Sequence, residues 1–356
     1  MKGLVIGLCL ALLVSTPSHA ETAETPRWGE AVLRQDANWY RSTEAVRLAQ
    51  NVVAYQSPEG GWPKNTDLTV PVHELELGVQ NTFDNGATIL PMAFLARVAV
   101  ASGDDAARAA FDRGLDYVLA AQYPNGGWPQ FYPLRGDYYD HVTFNDDAMI
   151  RILGLLREVS RGAEPYAFVD PARRARARAA VDSGLRLILS TQIRRDGVPA
   201  AWCAQYDETT LQPAWARRFE PPSISGSESV GIVRFLMTVE DPGPDVVQAI
   251  EGAVAWFEQA AMADRRMETA TGPDGKPDRR IVAAPGERLW ARFHDIETGR
   301  PIYMGRDSVA RDRLEDIEAE RRNGYAYVGT WAESLLARDY PAWRARPDVA
   351  RRLTQS

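Results

Sequence analysis

One helical pattern occurs four times along this chain, and it decides what the chain can fold into. Phe111, Leu115, Val118 and Leu119 fall at i, i+4, i+7 and i+8, with Gln122 three residues further on. Val181, Leu185, Ile188, Leu189 and Gln192 repeat that spacing, as do Ala45, Ala49, Val52, Val53 and Gln56. Ala249, Ala253, Trp256 and Phe257 give it a fourth time without the glutamine. The period is that of one apolar stripe on an amphipathic helix. Gly114, Gly184 and Gly252 occupy one place in three of the stripes, 70 and 68 residues apart.

Each stripe runs into a similar break: Gly60-Gly61-Trp62-Pro63, Gly126-Gly127-Trp128-Pro129 and a weaker Gly197-Val198-Pro199. Gly and Pro end a helix and open a loop. A second set of helices starts near Asn85, Asp146 and Ser227, with a last one near Thr330. It is richer in Leu, Ile, Val and Met, so it is the more buried set. Alternating outer and inner helices predict an all-α fold: an α/α toroid (an incomplete α/α barrel of helical hairpins) with long loops at one rim. The long outer-to-inner loops are residues 57–83, 123–143, 193–226 and 262–329, and function is expected beneath them. Few strand patterns of any length are visible, and a short β-element is left room only inside the long loops.

Lys2, the apolar stretch from Gly3 to Val14 and Ser18-His19-Ala20 read as an export signal, residues 1–20, cleaved after Ala20. Its apolar run is too short for a membrane span, and no later segment is expected to be long enough. The expected location is outside the cytoplasm. Beyond residue 20 one cysteine remains, Cys203, which excludes an intramolecular disulfide and a cysteine metal cluster. His73, His141 and His294 form no HExxH motif, which argues against a zinc enzyme. The net charge is −7, and −8 without the signal, which argues against nucleic-acid binding. Three of the 41 basic residues are lysines, so an isolated arginine carries little information in this chain.

Polar clusters open three inner helices: Thr82-Phe83-Asp84-Asn85-Gly86, Thr143-Phe144-Asn145-Asp146-Asp147 and Ser225-Gly226-Ser227-Glu228-Ser229. Helix capping explains any one of them, and Ser225 with Glu228 fits a capping box. The expected fold places all three on one rim beneath the long loops, with Asp84 and Asp146 on neighbouring inner helices facing one cleft. Asp84, Asp146 and the amide oxygen of Asn145 then form a set of hard oxygen ligands suited to calcium. Trp62 and Trp128 are either buried loop locks or sugar-stacking platforms. No Gly-x-Ser-x-Gly makes a nucleophile of the serines.

These segments resemble the pectate lyases of polysaccharide lyase family 10. The resemblance runs from about Gly60 to Tyr325. It rests on Gly60 to Asn65, Thr82 to Thr88, Pro129 to Leu134, His141 to Asp146, Trp202 to Gln205, Ser225 to Val230, Arg292 to Asp295 and Glu320 to Tyr325, in that order. It implies an α/α toroid over residues 21–356 that cleaves polygalacturonate by β-elimination with calcium. It also implies an arginine base upstream of the serine segment. An ungapped count back from Ser225 lands on Arg217, and a one-residue slip would land on Arg218. The metal-site aspartates fall on Asp84 and Asp146. The arginines that grip substrate carboxylates fall on Arg292 and Arg306, with Lys64 and Asn145 as further substrate contacts. A monomer acting on oligogalacturonate, without nucleic-acid or membrane partners, is expected.

Elimination from a uronate removes a weakly acidic C5 proton and spreads charge into the C6 carboxylate. A cation on that carboxylate stabilises the developing charge. Free arginine has a pKa of about 12.5–13.8, so calcium and neighbouring arginines are expected to lower that of the base. The rival readings are an inverting glycoside hydrolase using Asp84 and Asp146, a terpenoid cyclase suggested by the Gln and Gly-Gly-Trp recurrence, and a non-catalytic pectin-binding protein.

Overall fold

The computed structural model describes residues 26–72, 80–272 and 275–353; the expected signal, residues 1–20, and His73 lie outside them. Seven α-helices of ten residues or more form among the described residues. They are α1 (Thr43–Ala54), α2 (Ile89–Ser102), α3 (Asp105–Ala120), α4 (Ala148–Arg161), α5 (Pro171–Thr191), α6 (Glu228–Met237) and α7 (Pro244–Ala260). Three of the outer helices, α1, α3 and α5, start at side-chain caps. Ser42 accepts from the Ala45 amide, Asp104 from those of Ala106 and Ala107, and Asp170 from that of Arg173 with Pro171 behind it.

Helices α2, α4 and α6 pack side by side, and α1, α3, α5 and α7 pack along their outside. Eight of the fourteen residues of α2 are buried, as an inner helix requires. Asp84–Ser102 is long and apolar enough to cross a membrane, contrary to the sequence expectation, but it is mostly buried among the other helices and serves as core. Close approach of the layers needs glycine. A Cβ on Gly184 would lie 2.6 Å from Leu153 of α4, and one on Gly114 would lie 3.0 Å from Met92 of α2.

The repeated glutamines hold the outer layer together. Gln56 Nε2 donates to Gly60 O at 3.0 Å and to Ala110 O of α3 at 2.9 Å. Gln122 does the same to Gly126 and Ala180 of α5, and Gln192 to Ala200 and Ala249 of α7. Each glutamine thus fastens its own loop and the next outer helix. The fourth stripe has no such outer helix after it among the described residues, and no glutamine at that place. The tryptophans settle as loop locks: Trp62 and Trp128 are fully buried, and their Nε1 atoms donate to Val52 O and Val118 O. Trp202 and Trp290 repeat the device on Ile188 O and Phe257 O. Each bond contributes about 1 kcal/mol net and, more usefully, fixes where a long loop begins.

The all-α expectation is wrong. The fold is 47% helix and 15% strand, with several small sheets. Most of the strand lies in 262–329, which was expected to be loop. There Met262–Thr271 and Pro277–Ala291 pair antiparallel, and Val328–Gly329 adds a third strand. A second apolar cluster, with Leu289, Phe293, Tyr303, Leu314 and Tyr327, packs under this sheet, separate from the helical core. The last helix expected near Thr330 does form, as one helical run over 333–344 whose middle, Leu335–Asp339, is π-helical and which continues into Tyr340–Arg344. The architecture is a two-layered helical body with a β-rich lobe, so a pure α/α toroid does not describe it.

Candidate active site

The first two polar clusters share one backbone design. Phe83 and Phe144 are fully buried anchors, each followed by a tight helical turn in which two residues have positive φ. These are Asn85 (53°) and Gly86 (70°) in the first, and Asp146 (51°) and Asp147 (59°) in the second. Asn, Asp and Gly are the residues that tolerate this region. The two candidate metal aspartates are therefore not equivalent positions: Asp146 corresponds to Asn85, and Asp84 to Asn145. Neither aspartate caps a helix. The Asp84 carboxylate is buried and meets Lys64 Nζ at 2.6 Å. Asp146 Oδ1 meets Arg292 Nη2 at 3.1 Å, while Oδ2 accepts from Asn145 Nδ2 at 2.8 Å.

The loops after Trp128 and Trp202 bring their glutamines to the same place. Thr82 Oγ1 donates to Gln130 O, and the amides of Phe144 and Asn145 both donate to Ala204 O. The result is a cavity of about 380 Å³ whose walls include Lys64, Asp84, Asn145, Asp146 and Arg217, five of the seven predicted site residues. Arg292 lines an adjoining cavity of about 740 Å³ that shares Asn85 and Asp146 with the first. Its guanidinium is buried, pairs with both Glu228 and Asp146, and lies 5.0 Å over the Tyr325 ring. Arg306 is not in either wall. It is exposed, forks onto Glu320 and lies 5.9 Å from the ring of Phe219, beside the cleft.

Arg217 projects from a turn closed by Glu220 N donating to Arg217 O. Its Nε and Nη2 donate to the two oxygens of the buried Glu220 carboxylate at 2.8 and 2.5 Å. Arg218 is exposed and is not part of the cleft wall. The protein groups around Arg217 do not by themselves produce the expected lowering of its pKa. Burial works to lower it, but the hydrogen bonds and charge of Glu220 outweigh burial and raise it. Arg292 is raised in the same way, burial being overcome by Glu228, Tyr325 and Asp146.

Sequence reading missed Glu220, quoted Tyr325 only as the end of a matching segment without a site role, and gave Glu228 only its capping role. The Ser225 hydroxyl does accept from the Glu228 amide, but the Glu228 carboxylate reaches Arg292. Ser229 is bonded to the backbone of Trp202, and no serine of that cluster meets a histidine among the described residues. Outside the cleft wall, His141, Asp207 and Glu208 bring their potential ligand atoms within 4.8 Å of one another, a grouping invisible as a sequence motif.

A hard cation fits the cleft residues. Gln130 Oε1 is buried there without a hydrogen-bond partner, beside Asp84, Asn145 and Asp146, so the donors are all oxygen.

The model of the pectic acid lyase family matches residues 56–336. A family 10 polysaccharide lyase from Cellvibrio cellulosa, in an aspartate-to-alanine mutant form in complex with trigalacturonic acid, is similar at 34% identity. The match has a TM-score of 0.76 and covers 87% of this chain and 96% of that one. A second structure of the family 10 polysaccharide lyase from that organism matches at 34% identity and TM-score 0.76, covering 86% and 95%. No curated protein matches. By the family match and these relatives, the chain belongs to the pectic acid lyase family and is a pectate lyase.

Proposed function

We propose that this protein is exported and, as a monomer, cleaves polygalacturonate by calcium-assisted β-elimination with Arg217 as the base. One observation carries the calcium part. Lys64, Arg135 and Arg217 share the cleft wall with Asp84, Asp146 and Glu220, three cations against three carboxylates. That wall has no surplus positive charge to hold a polyanion, and a divalent cation on Asp84 and Asp146 supplies it. When bound, calcium screens a substrate carboxylate and stabilises the charge that develops there as the C5 proton leaves.

The chain's own residues do the rest. A nitrogen of Arg217 takes the C5 proton. The C5–H electron pair forms the C4=C5 double bond, and the glycosidic oxygen departs from C4. Arg292 grips a uronate carboxylate from a rigid seat, because Glu228 and Tyr325 hold its guanidinium. Lys64 and Asn145 contact carboxylate or hydroxyl groups, and Arg306 binds further out along the chain. Because Glu220 favours the charged form of Arg217, the neutral base is scarce and activity rises into alkaline pH. The fit of the oxygen donors is tested by calorimetric titration of calcium into the unsubstituted protein and the Asp84→Asn/Asp146→Asn double variant. Saturable binding that the double variant loses supports the reading; equal binding by both removes the site from Asp84 and Asp146.

A further inference from the structure

We infer that Glu220 is a positioning residue for Arg217: its carboxylate, itself held by Tyr325, fixes which guanidinium nitrogen faces the cleft. The inference rests on the reading of Arg217 as the base. Glu220 Oε2 accepts from both the backbone amide and Nε of Arg217, at 3.0 and 2.8 Å, and Oε1 accepts from Nη2 at 2.5 Å. One carboxylate therefore binds the backbone and one whole edge of the guanidinium. Nη1 is the nitrogen left over, and it has no hydrogen-bond partner among the described residues. Rotating another nitrogen into its place would break two charge-assisted bonds at once.

The clamp is itself clamped. Glu220 is buried, its backbone amide and carbonyl bond to Arg217 O and the Ala216 amide, and Tyr325 Oη donates to Oε1 at 2.8 Å. Phe219 and Tyr325 lie 4.9 and 5.5 Å from the guanidinium carbon. The Tyr325 ring also lies beneath Arg292 at 5.0 Å, so one aromatic side chain sets the spacing of two cleft arginines. The charge of Glu220 works against a neutral base, since it favours protonated Arg217. Activation by charge therefore does not explain a carboxylate here, and orientation does.

Charge and position separate in two variants. Glu220→Asp keeps the charge and withdraws the carboxylate by one methylene. Glu220→Gln keeps the length, loses the charge and sets an amide donor against a guanidinium donor. Steady-state kinetics on polygalacturonate with calcium across pH, with Arg217→Ala in parallel, should show kcat reduced on the order of 10²-fold in both, with KM within about threefold. The alkaline rise in activity should move to lower pH in Glu220→Gln alone. Tyr325→Phe, which keeps the ring and the ion pair, should lose about tenfold in kcat. If Glu220→Asp and Glu220→Gln keep kcat within threefold while Arg217→Ala is inactive, the positioning role is wrong and the base assignment stands. If Arg217→Ala stays active, the base assignment itself has failed. Should the Glu220 variants not fold, Tyr325→Phe decides: an unchanged kcat overturns the inference.

Discussion

Nη2 of Arg292 lies 3.1 Å from Oδ1 of Asp146, an ion pair across 146 positions of sequence that joins the β-rich lobe to the first turn before α4. The same nitrogen meets the buried carboxylate of Glu228 at the start of α6. Truncating Arg292 strands that carboxylate, and removing one partner of a buried pair costs roughly 3–5 kcal/mol. Arg292→Ala should therefore lower both the melting temperature and kcat. Arg306→Ala should leave melting unchanged and raise KM, because an exposed pair such as Arg306–Glu320 is worth about 0–1 kcal/mol. Thermal denaturation and kinetics of the two variants side by side check this, and equal melting losses would contradict it.

Arg217→Ala should lower kcat by about 10²–10⁴-fold, the usual effect of losing a general base. Arg217→Lys should fail too, because an ammonium cannot make the two-point contact with Glu220 that orients the guanidinium. Arg218→Ala should turn over normally, since Arg218 lies outside the cleft wall. Single-substrate kinetics on the three variants, measured well below their melting temperatures, separate the two arginines.

Asp146 has φ of 51°, so its substitution must be chosen with the backbone in mind. Asn tolerates that conformation and Ala does not, at a cost of about 1 kcal/mol. Asp146→Asn should thus melt like the parent yet need at least about tenfold more calcium for half-maximal activity. Activity titrated with calcium after chelation, together with melting, checks this; an unchanged calcium requirement would detach Asp146 from the metal.

How much of this was legible in the sequence follows from what each residue contacts. The stripes on α1, α3, α5 and α7 show because one face is buried and the other wet. The glutamines that end three of them bond across neighbouring helices, so they recur at one place. The hairpin of Met262–Thr271 and Pro277–Ala291 left no alternating pattern: Arg265, Arg266, Arg279 and Arg280 decorate strands that are partly exposed on both faces. At the site, Asp84, Asn145 and Asp146 stand in motifs, whereas Glu220 and Tyr325 meet only through folding, 105 positions apart. A glutamate three residues after an arginine reads as a solvated pair, and only its burial reveals the clamp. Arg217, Arg292 and Arg306 were reached by resemblance, since arginine is the default cation of this chain.

His294 is fully buried beside Trp256, and burial holds its imidazole down at about 4. The unfolded chain takes up the proton near 6.5 and the folded one near 4, so the unfolded state binds more protons between those values. Stability should accordingly fall as pH drops from about 6.5 to 4, by up to roughly 3 kcal/mol. Denaturant unfolding of the parent and of His294→Gln across that range should show a slope in the first and a flatter profile in the second. Identical slopes would place the acid sensitivity elsewhere.

The most direct test of the whole account is the ultraviolet absorbance of the products formed from polygalacturonate, followed at alkaline pH with calcium and with excess chelator. β-Elimination leaves a C4=C5 double bond conjugated to the carboxylate, so the account predicts absorbance that grows with calcium and stops with the chelator. New reducing ends without that absorbance would mean hydrolysis and contradict elimination. Full absorbance growth in excess chelator would leave the lyase standing and remove calcium from Asp84 and Asp146.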